Sequence, residues 1–143
     1  MFKKILYPTD FSDVAHSALD FIIRLKDAGA KEVVILHVID KGNFDAIARY
    51  ATKDILEIEK NLEERAMAEI APIGERLQKK GFKIKILISR AVPFMEILRV
   101  EEKEKVSAIV IGSHGASNIA EIFLGSVSEK VIRRAKTPVL VIR

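Results

Sequence analysis

The residues best placed to do chemistry in this 143-residue chain are Gly112, Gly115, Gly125 and Ser126, spaced as G-x2-G-x9-G-S. Glycines in such a pattern let the backbone turn and let a ligand approach bare amide groups; bare amides bind anions. Past Gly125, the run Ser126-Val127-Ser128-Glu129 has the S-x-x-E form of a capping box. Val127, Val131, Ile132 and Ala135 then recur at helical spacing. Gly125 and Ser126 are therefore expected at a helix N-terminus, where unpaired N–H groups and the positive end of the helix dipole favour phosphate. The same residues also suit an ordinary strand-to-helix connection, with glycines serving turns and Ser126 serving only as a cap. Their types and spacing leave both readings open.

Other chemistries are poorly supplied. The chain has no cysteine, which removes disulfides, thiolate catalysis and cysteine metal sites. Its three histidines, His16, His37 and His114, do not have metal-ligand spacing. His37 is expected as a hydrogen-bonded core residue, His16 as exposed, and His114 on the glycine loop facing phosphate or solvent. Asp10 follows the first strand and suits either a ligand contact or a cap flanking the first helix. There is no G-x-x-x-x-G-K-[ST] phosphate loop, no G-x-G-x-x-G fingerprint and no G-x-S-x-G nucleophile elbow. Phosphoryl transfer needs a positioned base and strong charge stabilisation, and only Asp10, Ser126 and a recruited metal are candidates. No residue is assigned as catalytic, and slow hydrolysis is the most the sequence supports.

The formal charge of +4 comes from 24 Lys and Arg set among 20 Asp and Glu, so no single-sign tail exists. The basic cluster Lys130, Arg133, Arg134 and Lys136 falls where a last helical turn places its cations. It carries no aromatic stacking residues, which argues against a nucleic-acid partner. With 49% hydrophobic residues, residues 1–143 are expected to form one domain with a real core. The apolar run before Pro8 is too short for a signal peptide and no stretch reaches membrane-spanning length. No membrane partner and a cytoplasmic location are the resulting expectations.

The elements that must hold these residues alternate. Phe2 to Tyr7 reads as a strand stopped by Pro8. Ser12 then caps a helix carried by Val14, Ala18, Leu19, Ile22 and Leu25, which ends before Gly29. Val33 to Ile39 reads as a strand buried on both faces. Asp40 to Thr52, with Gly42, Asn43 and Asp45 and no steady period, reads as a loop, either a lid or a surface connection. Ile55, Ile58, Leu62, Ala66, Ile70, Ile73 and Leu77 mark a long helix ending at Gly81, with a kink expected at Pro72. Phe82 to Ile88 alternates like an edge strand. Pro93 opens a helix whose buried face is Phe94, Ile97 and Leu98 and whose end, EEKEK at 101–105, is expected to be solvated. Ala108 to Ile111 leads into the glycine stretch, and Val139 to Ile142 closes the chain's pattern. Five such alternations predict a parallel sheet with helices on both faces, its ligand beyond the strands' carboxyl ends.

Strand one ending in Y-P-T-D, strand two in H-V-I, the run I-G-S-H-G-x9-G-S and the final T-P-V-L-V-I together resemble the universal stress protein family, across essentially the whole length. The intact G-x2-G-x9-G-[ST] pattern is similar to its nucleotide-binding, ATP-binding branch. The resemblance implies a three-layer α/β fold, an open five-stranded parallel sheet of order 3-2-1-4-5, Rossmann-like and adenine-nucleotide-hydrolase-like. It implies a stress-response regulator that binds ATP or AMP, with Mg2+ or Mn2+ accompanying the phosphates, and a homodimer joined through Val139 to Ile142; a further protein partner stays unidentified. Pro8, Thr9 and Asp10 would then lie beside ribose and adenine, and the backbone of Val38 would hydrogen-bond the adenine edge. Gly112 would approach the ribose, and Ser113, His114, Gly115 and Ser117 would line the phosphate path. Gly125, Ser126 and Val127 would offer amides to the phosphates. Ala91-Val92-Pro93 departs from the family's G-x-P, which leaves the role of Arg90 open. The alternatives are a slow ATP hydrolase or adenylyl-transferring enzyme of the same architecture, against which the first loop, PTDFS, lacks a serine-glycine-glycine phosphate loop. A phospho-acceptor receiver domain would need an acceptor Asp after strand three, where Ser89-Arg90-Ala91 stands.

Overall fold

The computed structural model describes residues 2–50, 54–113 and 125–143. Their elements are β1 (Lys4–Pro8), α1 (Asp13–Arg24) running into a 3-10 turn (Leu25–Ala28), β2 (Glu32–Asp40), α2 (Lys41–Tyr50) and α3 (Ile55–Lys79). They continue with β3 (Lys83–Ala91), α4 (Pro93–Glu104), β4 (Ala108–Gly112), α5 (Ser126–Arg134) and β5 (Val139–Ile142). All strand pairs are parallel and the order is β3-β2-β1-β4-β5. The order implied by the resemblance is the order observed.

Alternation along the strands sorts the core into two faces. Ile5, Tyr7, Val33, Ile35 and Val110 pack with Leu19 and Ile22 of α1 and Ile70, Ile73 and Leu77 of α3. Leu6, Val34, Leu36, Ile109 and Ile111 pack with Ile97 and Val100 of α4 and Val131 of α5. Both faces of the central strands are covered, which is why their sequences are apolar throughout.

Local chemistry sets the helix ends. The Ser12 hydroxyl accepts from the Ala15 N–H at 3.3 Å and caps α1, and Pro93 occupies the first turn of α4. Helix α3 stops at Gly81, φ 94°, where Phe82 N–H returns to Leu77 O at 3.1 Å and Gly81 N–H to Gln78 O at 2.9 Å. These are the paired bonds of a Schellman ending. Pro72 sits within an unbroken α3. It lies on the exposed face, so the carbonyl four residues back that it leaves without a donor is open to water.

Four expectations need correction. Pro8 does not stop β1 but ends it as a paired residue, opposite Leu36, because the proline ring removes only a donor and the next amide, Thr9 N–H, still reaches Leu36 O at 2.9 Å. The segment read as a loop from Asp40 is helical from Lys41 to Tyr50; residues 51 and 52 lie outside the described ones. Asp40 Oδ1 accepts from Gly42 N–H at 2.9 Å, and Phe44 is buried beneath the Arg90 guanidinium, 4.5 Å from its ring centroid. Burial of one aromatic residue overrides the weak propensities of Gly42, Asn43 and Asp45. The apolar stripe of α3 is not buried along its whole length: Ile55 is exposed. Twenty-five residues of helix rise about 37 Å, more than the ~30 Å of a nine-residue strand such as β2. The end of α4 is not simply solvated either, since Glu101 is buried. One of its oxygens, Oε1, accepts from Lys136 N–H at 2.7 Å, Thr137 N–H at 2.8 Å and Thr137 Oγ1 at 2.9 Å. It is an acceptor for the turn that leads into β5.

Candidate functional site

A cleft of about 660 Å3 opens at the carboxyl ends of β1, β2 and β4, within the range of small-molecule sites. It exists because neighbouring strands have unequal length. β1 ends at Pro8 while β2 continues to Asp40. Leu36 spends its carbonyl on Thr9 N–H; by the alternation of a parallel ladder, Val38 is the next residue of β2 whose N–H and C=O turn to that side. Among the described residues no strand remains there to pair with them.

The loop after β1 shapes the wall. The Thr9 hydroxyl accepts from Phe11 N–H at 3.1 Å, and Asp10 Oδ1 accepts from Ser12 N–H at 3.0 Å. Phe11 adopts φ 66°, a left-handed conformation that costs a side-chain-bearing residue ~1–2 kcal/mol. Its ring lies on the His37 ring, centroids 4.4 Å apart and planes at 24°, while His37 Nδ1 contacts the Thr9 carbonyl oxygen at 2.8 Å. Beneath this loop Tyr7 is fully buried, and its hydroxyl donates to the Ala15 carbonyl. Desolvation is the largest influence on that phenol and pushes its pKa up to about 12, against the hydrogen bond with Thr9 that lowers it.

The opposite wall is the start of α5. Gly125 is its N-cap at φ −64°, ψ 157°, extended backbone open to any residue. The glycine is therefore not demanded by its backbone angles, and it sets no side chain beside the first-turn amides. Ser126 is therefore the first helical residue and not the cap, so the expected capping box is not formed. The amides of Ser126, Val127 and Ser128 stand where a helix has no carbonyl to offer them. Gly125 N–H is used at 2.6 Å by Ser113 O, and Ser113 N–H by Ile142 O at 2.7 Å.

Of the residues singled out in the sequence, Pro8, Thr9, Asp10 and Val38 line the cleft from one side. Gly112, Gly125, Ser126 and Val127 line it from the other. Ser113 is buried, its backbone clamped between β5 and Gly125, and is not part of the lining. His114, Gly115 and Ser117 lie outside the described residues. His37 is hydrogen-bonded as expected, yet it is half-buried at the cleft and not in the core. His16 is exposed on α1. Arg90 pairs with Glu59 at 3.4 Å and covers Phe44, apart from the lining.

Sequence reasoning missed Phe11 and the α3 wall of Leu62, Arg65 and Glu69. Phe11 was within reach, being the one aromatic residue in the PTDFS loop; the α3 residues carry no local signal of where the helix will lie. Among the charged lining residues, Asp10, Asp40 and Glu69 outnumber Arg65. Anion binding here would rest on amides more than on cations. No group of three or more His, Asp or Glu among the described residues could hold a metal ion by itself, and no described helix is long and apolar enough to cross a membrane.

Comparison with known proteins agrees with this architecture. The universal stress protein family model matches residues 1–143. Universal stress protein MJ0577 of Methanocaldococcus jannaschii is 41% identical, with 100% of this chain and 96% of that protein covered. A solved structure of MJ0577 superimposes with a TM-score of 0.89 at 42% identity, covering 99% of this chain and 96% of that one. A universal stress protein solved in complex with cAMP has a TM-score of 0.64 at 25% identity, covering 99% and 97%.

Proposed function

We propose that this chain, which belongs to the universal stress protein family, binds an adenine nucleotide, ATP or AMP, as a dimeric regulator of the stress response. The observation that carries the reading is the cleft's pairing of two sets of backbone groups that meet no partner among the described residues. The N–H and C=O of Val38, left over where β1 ends, are the complement of a purine's donor–acceptor edge. Across the cleft, the first-turn amides of α5 are an anion cradle. The cAMP complex of a related protein supports a nucleotide of this class.

Asp10, Pro8 and Thr9 flank the ribose and base in this reading, with Gly112 at the ribose. Ser126 and Val127 offer their amides to the phosphates beside Gly125, which carries no side chain, and His114, Gly115 and Ser117 continue the path. A divalent ion, Mg2+ or Mn2+, would be held chiefly by the phosphates and would balance their charge. Affinity comes from donors already in place, so the nucleotide acts by favouring one conformation or partner contact over another. Among the described strands β5 pairs only with β4 and presents four apolar residues, Val139 to Ile142, at a sheet edge. A second copy added along that edge satisfies its unpaired backbone.

Titration calorimetry on nucleotide-free protein tests the proposal: saturable binding of ATP or AMP is expected, and no heat with either overturns it. Light scattering at micromolar concentration is expected to give the mass of a dimer.

A further inference from the structure

We propose that His37 is a base-specificity residue, its Nε2 accepting a hydrogen bond from the exocyclic amine of the adenine; the inference rests on the nucleotide reading above. The Thr9 carbonyl oxygen has lone pairs and no proton, so the 2.8 Å contact between it and His37 Nδ1 requires the proton on Nδ1. The neutral ring then carries a bare lone pair on Nε2. Thr9 cannot move to release this choice, because its N–H is fixed on Leu36 O at 2.9 Å, its hydroxyl holds Phe11 N–H, and it is itself buried.

Nε2 is also reachable. No described residue hydrogen-bonds it, and no fully buried side-chain nitrogen or oxygen among the described residues lacks a partner. The half-buried ring lines the cleft, and Nε2 is therefore accessible rather than sealed in the core. Phe11 stacks on the ring at 4.4 Å and fixes its plane. An acceptor locked by Thr9 and Phe11, and unpaired among the described residues, is left next in sequence to Val38.

An adenine amine has two N–H bonds. The Val38 carbonyl accepts one, and His37 Nε2 accepts the other. A purine with an oxygen at that position sets lone pair against lone pair, and the ring cannot switch tautomer without losing Thr9.

The test compares ATP with N6-methyl-ATP, which keeps one N–H, on wild type and on His37→Phe, which keeps a ring against Phe11 and removes both nitrogens. Wild type is expected to bind N6-methyl-ATP about tenfold more weakly than ATP, the worth of one hydrogen bond in a desolvated site. His37→Phe is expected to bind the two equally. An unchanged ratio in the variant overturns the role of His37 while leaving nucleotide binding intact; failure of wild type to bind either nucleotide overturns both. Should His37→Phe not fold, nitrogen NMR of labelled histidine in wild type decides: the His37 Nε2 resonance is expected to move on saturation with ATP, and an unmoved resonance overturns the proposal.

Discussion

Ser128, in the first turn of α5, donates its hydroxyl to the carbonyl oxygen of Gly112 at 2.6 Å. The last residue of β4 is thereby tied to the helix that begins 14 residues later in the chain. Both groups are buried, so Ser128→Ala strands a carbonyl. The expected loss is about 1–2 kcal/mol of stability, read as a lower denaturation midpoint with an unchanged slope.

Alkaline unfolding should report Tyr7. Its phenol sits at about 12 in the folded chain, mainly through desolvation, against ~10 unfolded. A raised folded value means the contribution is fully present below pH ~10 and is lost as pH climbs toward 12, up to about 2–3 kcal/mol. Comparing the stability of wild type and Tyr7→Phe across pH 9 to 12, wild type should fall more steeply; parallel curves would contradict the assignment.

Glu101 is expected to matter more than its place in a run of five charged residues suggests. Glu101→Ala removes the shared acceptor of Lys136 N–H, Thr137 N–H and Thr137 Oγ1 and should cost about 3 kcal/mol. Glu101→Gln keeps a carbonyl oxygen and should cost nearer 1 kcal/mol. Urea denaturation of the two variants measures the difference.

At Gly125 the backbone is extended, φ −64°, so a side chain is compatible with the fold. Gly125→Val should leave the thermal midpoint within a few degrees of wild type. It should weaken ATP binding at least about tenfold, by filling the space before the first-turn amides. Calorimetric titration beside a thermal melt separates the two effects.

Gly74 faces the sheet from the C-terminal part of α3, inside the helix. A β-carbon there would sit 3.5 Å from Ile86 Cδ1 and 3.8 Å from Ile84 Cγ2, ordinary packing distances. Gly74→Ala should therefore stabilise the protein by about 0.5–1 kcal/mol through helix propensity alone.

Much of this was legible in the residues themselves. The continuous apolar runs of β2 and β4, the alternation of β3 and the position of Pro93 each follow from one local rule, and each element formed near where that rule put it. β3, however, runs past Ile88 through Ser89, Arg90 and Ala91, which pair with the overhang of β2. The errors share a different cause. α2 forms because Phe44 finds a burial site under Arg90, a partner 46 residues away. Glu101 is buried because the turn after α5 comes to it, and His37 leaves the core because β1 stops short beside it. Ser126 failed as a cap through a shift of one residue, which local pattern does not resolve. Contacts distant in sequence decided all of these but the last.

The overhang of β2 beyond β1 has an evolutionary corollary. Substitution by any residue but proline exchanges a side chain and leaves the peptide its amide and its carbonyl. Whatever other residue comes to occupy position 38, the donor and acceptor displayed there persist as long as the two strands keep their different lengths. Divergence can change the side chain at position 37, whereas the adjoining donor and acceptor are inherited with the topology itself.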